Sequence, residues 1–463
     1  MTHDLVVANG TVVSPEQGRF EADVAADDGR ISRIAAPGTL SSAGETVVDA
    51  TDRHVLPGVV DPHVHHGLFR PLAEEADTES RSGLVGGVTT VGNIFRRGEP
   101  YAEVMDDYVA AAEENYRHDY FFTLGLLSDR HVAEIPDVVD EYGITSFKWY
   151  GNYKLQVAER FDLERNLLDD VADRFVRRLA DLDGPTTLAY HAENAEITQR
   201  LSRDLREAGA DGYEAIVEKF PGYAEAQAAV AGANLARQHG YDDDFYVVHV
   251  SSRRTASDIA DLQSLGYGVT AETCTHYLAL TCDECDQRMR INPPVRSQAD
   301  QDALWCHLRD GTIDCVGTDH IANRRDEKVG EDIWDGRWGS PSSATMLPLV
   351  LSEGVHEDRI SLERAAAVTS TNNAKAYDLY PRKGTVRVGS DADLAVVDLE
   401  ETRTVTPDLL QSHADYTMYD GWTVTGWPTQ TIVRGTLAFD RGDVVADPGH
   451  GTHVDRPLAG GST

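Results

Sequence analysis

The feature that most constrains this chain is an alternation. From about Val55 onward, short apolar runs alternate with longer stretches of helical periodicity. After a run ending at His63 come Val88-Thr89-Thr90-Val91, Phe121-Phe122-Thr123-Leu124, Ser146-Phe147-Lys148-Trp149, Thr187-Leu188-Ala189-Tyr190, Phe245-Tyr246-Val247-Val248, Gly268-Val269-Thr270-Ala271 and Ile313-Asp314-Cys315-Val316. Between several of them lie helical patterns, such as Tyr101 to Tyr116 and Ala224 to Gln238. Strands that alternate with helices build parallel sheets. Eight such units predict a (β/α)8 TIM barrel, of the α/β class, over residues 55–382.

A barrel needs only about 250 residues, and this chain has 463. The surplus lies at both ends. Leu5 to Val13, interrupted by the turn pair Asn9-Gly10, is followed by Ala22 to Ala26, the turn residues Asp27-Asp28-Gly29, and Ile31 to Ile34. Turn pairs between apolar runs predict a small antiparallel sheet. Strand-like segments return near Lys383, at Thr385 to Val388, Leu394 to Val397, Thr431 to Val433 and Leu437 to Phe439. The two ends, residues 1–54 and 383–446, are expected to pair into one β-sandwich beside the barrel, leaving 447–463 as a loose or packing tail.

Charge excludes some partners. There are 78 Asp+Glu against 42 Lys+Arg, a formal charge of −36, spread along the whole chain. We read this as adaptation to a salty cytoplasm, where salt screens the self-repulsion. Nucleic acid and anionic membranes call for basic surface and are not expected partners. The N-terminus MTHDLVVANG lacks a basic region followed by an apolar one, and no apolar run approaches the roughly 20 residues that span a bilayer. The cysteines, Cys274, Cys282, Cys285, Cys306 and Cys315, are odd in number and sparse, as in a reducing cytoplasm. Cys282 and Cys285 form half of a zinc pattern with no second pair.

Five signals fall at the C-terminal ends of predicted strands, where barrel enzymes place their chemistry. In Asp61-Pro62-His63-Val64-His65, residues i and i+2 of an extended chain point to one side, so His63 and His65 can reach one ion. Lys148 sits inside an apolar strand, where an ammonium is costly unless paired or modified. Carbamylation by CO₂ would give it two anionic oxygens able to bridge two cations, and a buried salt bridge is the alternative. His191 and His249 each follow a β-rich run and suit zinc-like metals as neutral imidazoles, or serve as core histidines. Asp319, in Gly317-Thr318-Asp319-His320, can ligate metal and move protons, or cap a helix. Together these residues form a converging set suited to two metals about 3.5–4 Å apart.

The set resembles that of the cyclic amidohydrolases: hydantoinase/dihydropyrimidinase, allantoinase and dihydroorotase. The resemblance extends through Gly86-Gly87-Val88-Thr89-Thr90, Glu272 to Leu278, Asn292-Pro293-Pro294-Val295-Arg296, Lys383-Gly384-Thr385 and Gly389 to Asp393. It implies that His63, His65, carboxylated Lys148 and Asp319 hold one divalent metal, and that Lys148, His191 and His249 hold the other, with a hydroxide between them. Zinc is the default, and manganese or cobalt can serve. Tyr153, five residues after Lys148, and His191-Ala192-Glu193-Asn194 match the hydantoinase branch, in which that tyrosine contacts substrate. Asn292 is implied as a ring contact. The implied reaction is hydrolysis of a small cyclic amide or ureide, with Asp319 as general base and acid, in a homotetramer or homodimer. Allantoinase- or dihydroorotase-like ring opening and a non-catalytic scaffold are the alternatives.

The pocket departs from the pattern. His66-Gly67-Leu68-Phe69-Arg70 lacks the dihydroorotase arginine in its usual place. Asn292-Pro293-Pro294 is similar to dihydroorotase or allantoinase rather than hydantoinase, and Trp338 stands where hydantoinases have an asparagine.

Overall fold

The strands of the central layer are buried on both faces, which is why each reads as a nearly unbroken apolar run. A computed structural model describes residues 2–241 and 245–456. Its strands, in chain order, are β1 (His3–Ser14), β2 (Gly18–Asp27), β3 (Arg30–Ala35), β4 (Gly44–Asp49), β5 (His54–Pro57), β6 (Val59–Val64), β7 (Val88–Phe95), β8 (Asp119–Gly125), β9 (Ser146–Tyr150), β10 (Thr187–His191), β11 (Phe245–Val247), β12 (Val269–Cys274), β13 (Cys315–Gly317), β14 (Leu394–Thr404), β15 (Thr423–Val433), β16 (Thr436–Asp440) and β17 (Asp443–Val444).

Strands β6 to β13 pair in sequence order as one parallel sheet of eight. The sheet curls until its edges meet at a single parallel bridge between Val64 and His320. The seam is pinned by Asp61, fully buried on β6, whose carboxylate accepts from Thr318 Oγ1 at 2.6 Å and Thr318 N at 3.2 Å. Burial pushes the Asp61 carboxyl up to about 6.

Two strand-to-helix turns are fixed by side-chain caps. Asn194 Oδ1 accepts from Ile197 N at 3.2 Å and Ser252 Oγ from Thr255 N at 3.2 Å. Each cap stands three residues beyond a histidine, so His191, at the end of β10, and His249, just after β11, are held beside a capped helix, where loss of the cap costs about 1 kcal/mol.

The chain ends pair into a second sheet in the order β17-β16-β15-β14-β5-β1-β2-β3, with β4 also on β1. Asn9-Gly10 is not a reversal. Asn9 takes φ 60° and the register slips between Val7 and Gly10, so β1 runs on through a bulge. Its first half pairs with β4 and its second with β5. A β-bulge bends a strand, and here it carries one strand across both halves of the sheet. The terminal strands therefore enclose their core (Leu5, Val24, Ala50, Leu394, Ile432) within one continuous hydrogen-bonded sheet rather than between two independent ones. Thr385 to Val388 is a loop, because Gly384 (φ 78°) and Gly389 (φ 95°) turn the backbone on either side of it. The C-terminal stretch packs against β8, with Tyr120 N donating to Thr452 O at 3.1 Å and Val454 N to Tyr120 O at 2.8 Å; residues 457–463 lie outside the described ones.

The two sheets touch at Gly86-Gly87. A side chain on Gly86 would strike Ser343 O at 2.6 Å and Ala344 O at 2.7 Å, and Gly87, at φ 82°, packs below Ala395 and Pro428 of β14 and β15. A buried ion network clamps them further. Lys383 Nζ lies 2.7 Å from Asp393, 3.0 Å from Asp391, and against Asp119 of β8. Removing one member of a buried charge network leaves its partners uncompensated, at about 3–5 kcal/mol. Lys383→Met is therefore expected to lower the midpoint of thermal unfolding by several degrees, and an unchanged midpoint in calorimetry would show that the three carboxylates are neutralised some other way. No helix among the described residues is long and apolar enough to cross a membrane.

Candidate metal centre and the family of the chain

The residues singled out by sequence meet at the C-terminal mouth of the barrel. His63 Nε2 is 3.2 Å and His65 Nε2 3.0 Å from Asp319 Oδ1. Lys148 Nζ is 2.9 Å from His63 Nε2. Beside them, His249 Nε2 faces His191 Nδ1 at 2.8 Å, and the rings of His63 and His249 are 5.6 Å apart. These side chains are buried or nearly so. His249 (φ 43°) and Asp319 (φ 50°) both sit in left-handed backbone, a conformation that costs non-glycine residues about 1–3 kcal/mol and clusters at functional sites.

The donor set fits divalent metal. Burial pushes His65 down to about 3 and holds His191 low, and burial together with His191 and Lys148 holds His249 well below the ordinary range. Neutral imidazoles facing one another at contact distance present lone pairs that protons do not fully satisfy, which is what ions of the zinc type take. His63 differs. Burial and Lys148 press its pKa down, but Glu272 and Asp319 outweigh them and it is raised. Burial also works against ionisation of Asp319, yet His63 and His65 hold its carboxyl well below the carboxylate range. Lys148 is brought down to about 8 by burial, with Asp319 opposing, so a fraction of neutral amine exists near neutral pH.

A cleft of about 570 Å³ opens above the centre. Tyr153 lines it, stacked on Tyr150 at 5.0 Å between ring centroids. Asn292 lines it too; its Nδ2 donates to Glu193 Oε2 at 3.1 Å while its buried Oδ1 has no partner among the described residues. Trp338 forms part of the wall.

A profile of the amidohydrolase family matches residues 198–438. The L-hydantoinase of Paenarthrobacter aurescens is 31% identical over 98% of each chain, and the allantoinase of Solibacter usitatus is 31% identical over 96% of each. The solved L-hydantoinase (dihydropyrimidinase) from Arthrobacter aurescens superposes with a TM-score of 0.90 at 30% identity, covering 98% of this chain and 100% of its own.

The chain belongs to the amidohydrolase family.

Within that family it is similar to hydantoinases and dihydropyrimidinases over nearly its full length, and it is a hydrolase acting on the C–N bonds of cyclic amides. Two residues of this amidohydrolase site escape a sequence reading based on ligand types. Glu272, on β12, accepts from His63 Nδ1 at 2.8 Å, from His249 N at 3.1 Å and from Tyr246 OH at 2.9 Å. It orients the imidazole so that Nε2 turns toward Lys148 and Asp319. An acid inside an apolar strand was the available signal, by the same logic that marks Lys148. Arg96, immediately after β7, reaches Tyr150 OH at 3.3 Å and lies over the rings of Tyr150 and Tyr153. Its place at a strand's C-terminal end was its signal.

Proposed function

We propose that the chain opens a cyclic amide or ureide ring by hydrolysis in the manner of hydantoinase and dihydropyrimidinase, at two divalent metals held by His63, His65, Lys148, His191, His249 and Asp319. The observation that carries this is Lys148. Its Nζ is buried among imidazoles with His63 Nε2 as its neighbour and no carboxylate in ion-pair reach among the described residues. An ammonium there meets a nitrogen lone pair of His63, and Asp319 and Glu272 act on it only from beyond ion-pair distance. N6-carboxylation would supply two anionic oxygens between the group His63, His65 and Asp319 and the pair His191 and His249.

When bound, the metals would supply Lewis acidity and a water acidified toward neutral pH, with zinc the default for this donor set and manganese or cobalt the alternatives. The protein's own groups do the rest. Asp319, kept ionised by its histidines, accepts the proton of the attacking water and returns it to the departing ring nitrogen. The Tyr153 hydroxyl donates to the ring carbonyl oxygen as it gains charge, a contribution of about 3–4 kcal/mol for a strong preorganised donor. Asn292 contacts the ring. Glu272 holds His63 in register. The domain boundaries at 54, 383 and 446 and a homotetrameric or homodimeric assembly belong to the same reading.

The test is a panel of hydantoin, 5-substituted hydantoins, dihydrouracil, allantoin and dihydroorotate, given to metal-loaded protein in molar KCl with bound metal counted in parallel. Turnover of a hydantoin or of dihydrouracil with about two metals per chain is expected. One metal, or none with no turnover of any ring, would overturn the reading.

A further inference from the structure

The cleft above the metal centre is lined by cations that the rest of this acidic molecule does not neutralise. Besides Lys148, its walls carry Arg96, Arg160, Arg203, Arg206, Lys219 and Arg290. Several arginines elsewhere sit in carboxylate pairs, such as Arg165 with Asp129 at 2.6 Å, Arg174 with Asp129 at 2.5 Å and Arg296 with Glu225 at 3.1 Å. Others, such as Arg237 over Tyr267 and Arg359 over Trp305, stand singly on aromatic faces. What sets the cleft apart is that six cations outside carboxylate pairs gather around one opening. Among the described residues none of the six cleft cations forms such a pair, although the chain has 78 acidic side chains to offer. Five of the six rest on aromatic faces instead. Arg96 and Arg160 flank Tyr153 at 5.6 and 5.0 Å, Lys219 and Arg290 flank Trp338 at 5.0 and 4.1 Å, and Arg206 lies over Trp334 at 4.7 Å.

The acids of the cleft are already engaged or remote. Asp319 faces His63 and His65, Glu193 takes bonds from His191, Thr198 and Asn292, and Glu207 is exposed at the rim. Arg160, Arg203 and Arg206 are exposed at the rim, whereas Arg290 is fixed in place deeper in the wall. Arg290 donates to the carbonyls of Trp334, Asp335 and Gly336, and buried Lys328 gathers the carbonyls of Arg290, Arg337 and Gly339, which holds Arg290 and Trp338 in one rigid wall. The buried Nε of both Arg96 and Arg290 has no acceptor among the described residues.

A protein of charge −36 repels anions at long range. A cleft that concentrates unpaired cations reverses that field locally, and an uncharged ring gives it no reason to do so. We propose that the substrate is an anionic cyclic amide, a ring bearing a carboxylate side chain, whose charge is received by Arg96 on the Tyr150–Tyr153 side or by Lys219 on the Trp338 side. The proposal rests on the ring-opening reading for its chemistry and adds the charge class of what enters. Carboxylate suits the arrangement because the cations stand singly against separate aromatic faces rather than converging on one point, as a phosphate dianion would require. It also explains why Trp338 is tolerated as a wall: with Lys219 and Arg290 on it, the indole orients cations.

The experiment compares two substrates of equal shape, 5-(2-carboxyethyl)hydantoin and its primary amide, on metal-loaded protein at low and at molar KCl. Wild-type protein is expected to favour the carboxylate in kcat/KM by about tenfold or more, the scale of one charge-assisted hydrogen bond. Part of that preference should survive molar salt, where screening reaches in to about 3 Å and only contacts count. Arg96→Gln and Lys219→Gln are each made, and at least one should lose more on the carboxylate than on the amide. Calorimetric binding of both compounds is measured on the same samples. If neither is turned over but the carboxylate binds more tightly, the charge preference stands and the ring-opening reading falls. If both are turned over and the amide is used as well as the carboxylate, ring opening stands and this proposal falls. Binding of neither compound overturns it as well.

Discussion

Metal-loaded Asp319→Asn protein is expected to fold, to keep most of its metal and to lose turnover by about 10²–10⁴-fold, the range over which a positioned general base contributes. Asparagine matches aspartate in shape and keeps one oxygen toward His63 and His65, which lie 3.2 and 3.0 Å from Oδ1. What it cannot do is hold a proton between attack and departure. The environment of Asp319 supports the assignment: two histidines keep the carboxylate ionised against burial, so it is charged when substrate arrives. Its left-handed backbone, at φ 50°, aims the side chain back over the mouth of the barrel. Kinetics, metal analysis and circular dichroism on one preparation separate the possibilities. Full activity with metal present would show that the proton travels by another group. Loss of metal along with activity would make Asp319 a ligand before it is a base.

How far the sequence discloses this site depends on how far apart the partners are. The eight barrel strands are legible because a parallel strand buried on both faces leaves an apolar run, and the candidate site residues stand out because they lie at or near the ends of those runs. His63 and His65 declare each other by spacing alone. Glu272 is different: its place inside an apolar strand marks it as unusual, but its partner His63 lies 209 residues away and local pattern does not name it. Arg96 carries only the weaker signal of its place after a strand, and its role shows once Tyr150 and Tyr153 are seen beneath it. Misreadings of the fold share one cause, which is glycine serving two purposes. Asn9-Gly10 looks like a hairpin turn, yet with Asp23 Oδ1 accepting from Asn9 N at 2.8 Å the chain bends without reversing. Thr385 to Val388 looks like a strand, but the glycines at 384 and 389 turn the backbone at both ends. Local pattern identifies a deviation from regular structure, and the pairing partner decides whether that deviation is a turn or a bulge.

Lys148→Gln is expected to take the bound metal from about two per chain to at most about one and to reduce ring opening to background. Glutamine approximates the length of the side chain and stays uncharged, so the surrounding packing against Tyr150 and the imidazoles survives, but it can neither take up CO₂ nor offer two anionic oxygens. The wild-type amine can, because burial has already lowered its pKa to about 8 and a neutral nitrogen is what CO₂ requires. Carbon-13 bicarbonate given to wild-type protein should therefore produce a carbamate resonance that the variant lacks. Lys148→Ala adds a second arm: the space it vacates, next to His63 Nε2 2.9 Å from the original Nζ, should admit a short carboxylic acid and recover part of the metal and part of the turnover. Two metals in wild-type protein without a carbamate signal, and no response of Lys148→Ala to added carboxylate, would mean that the bridging anion comes from elsewhere. Recovery by acetate or propionate would instead show that the fold requires only a carboxylate at this point in space, and that the lysine reaches it by capturing one from CO₂.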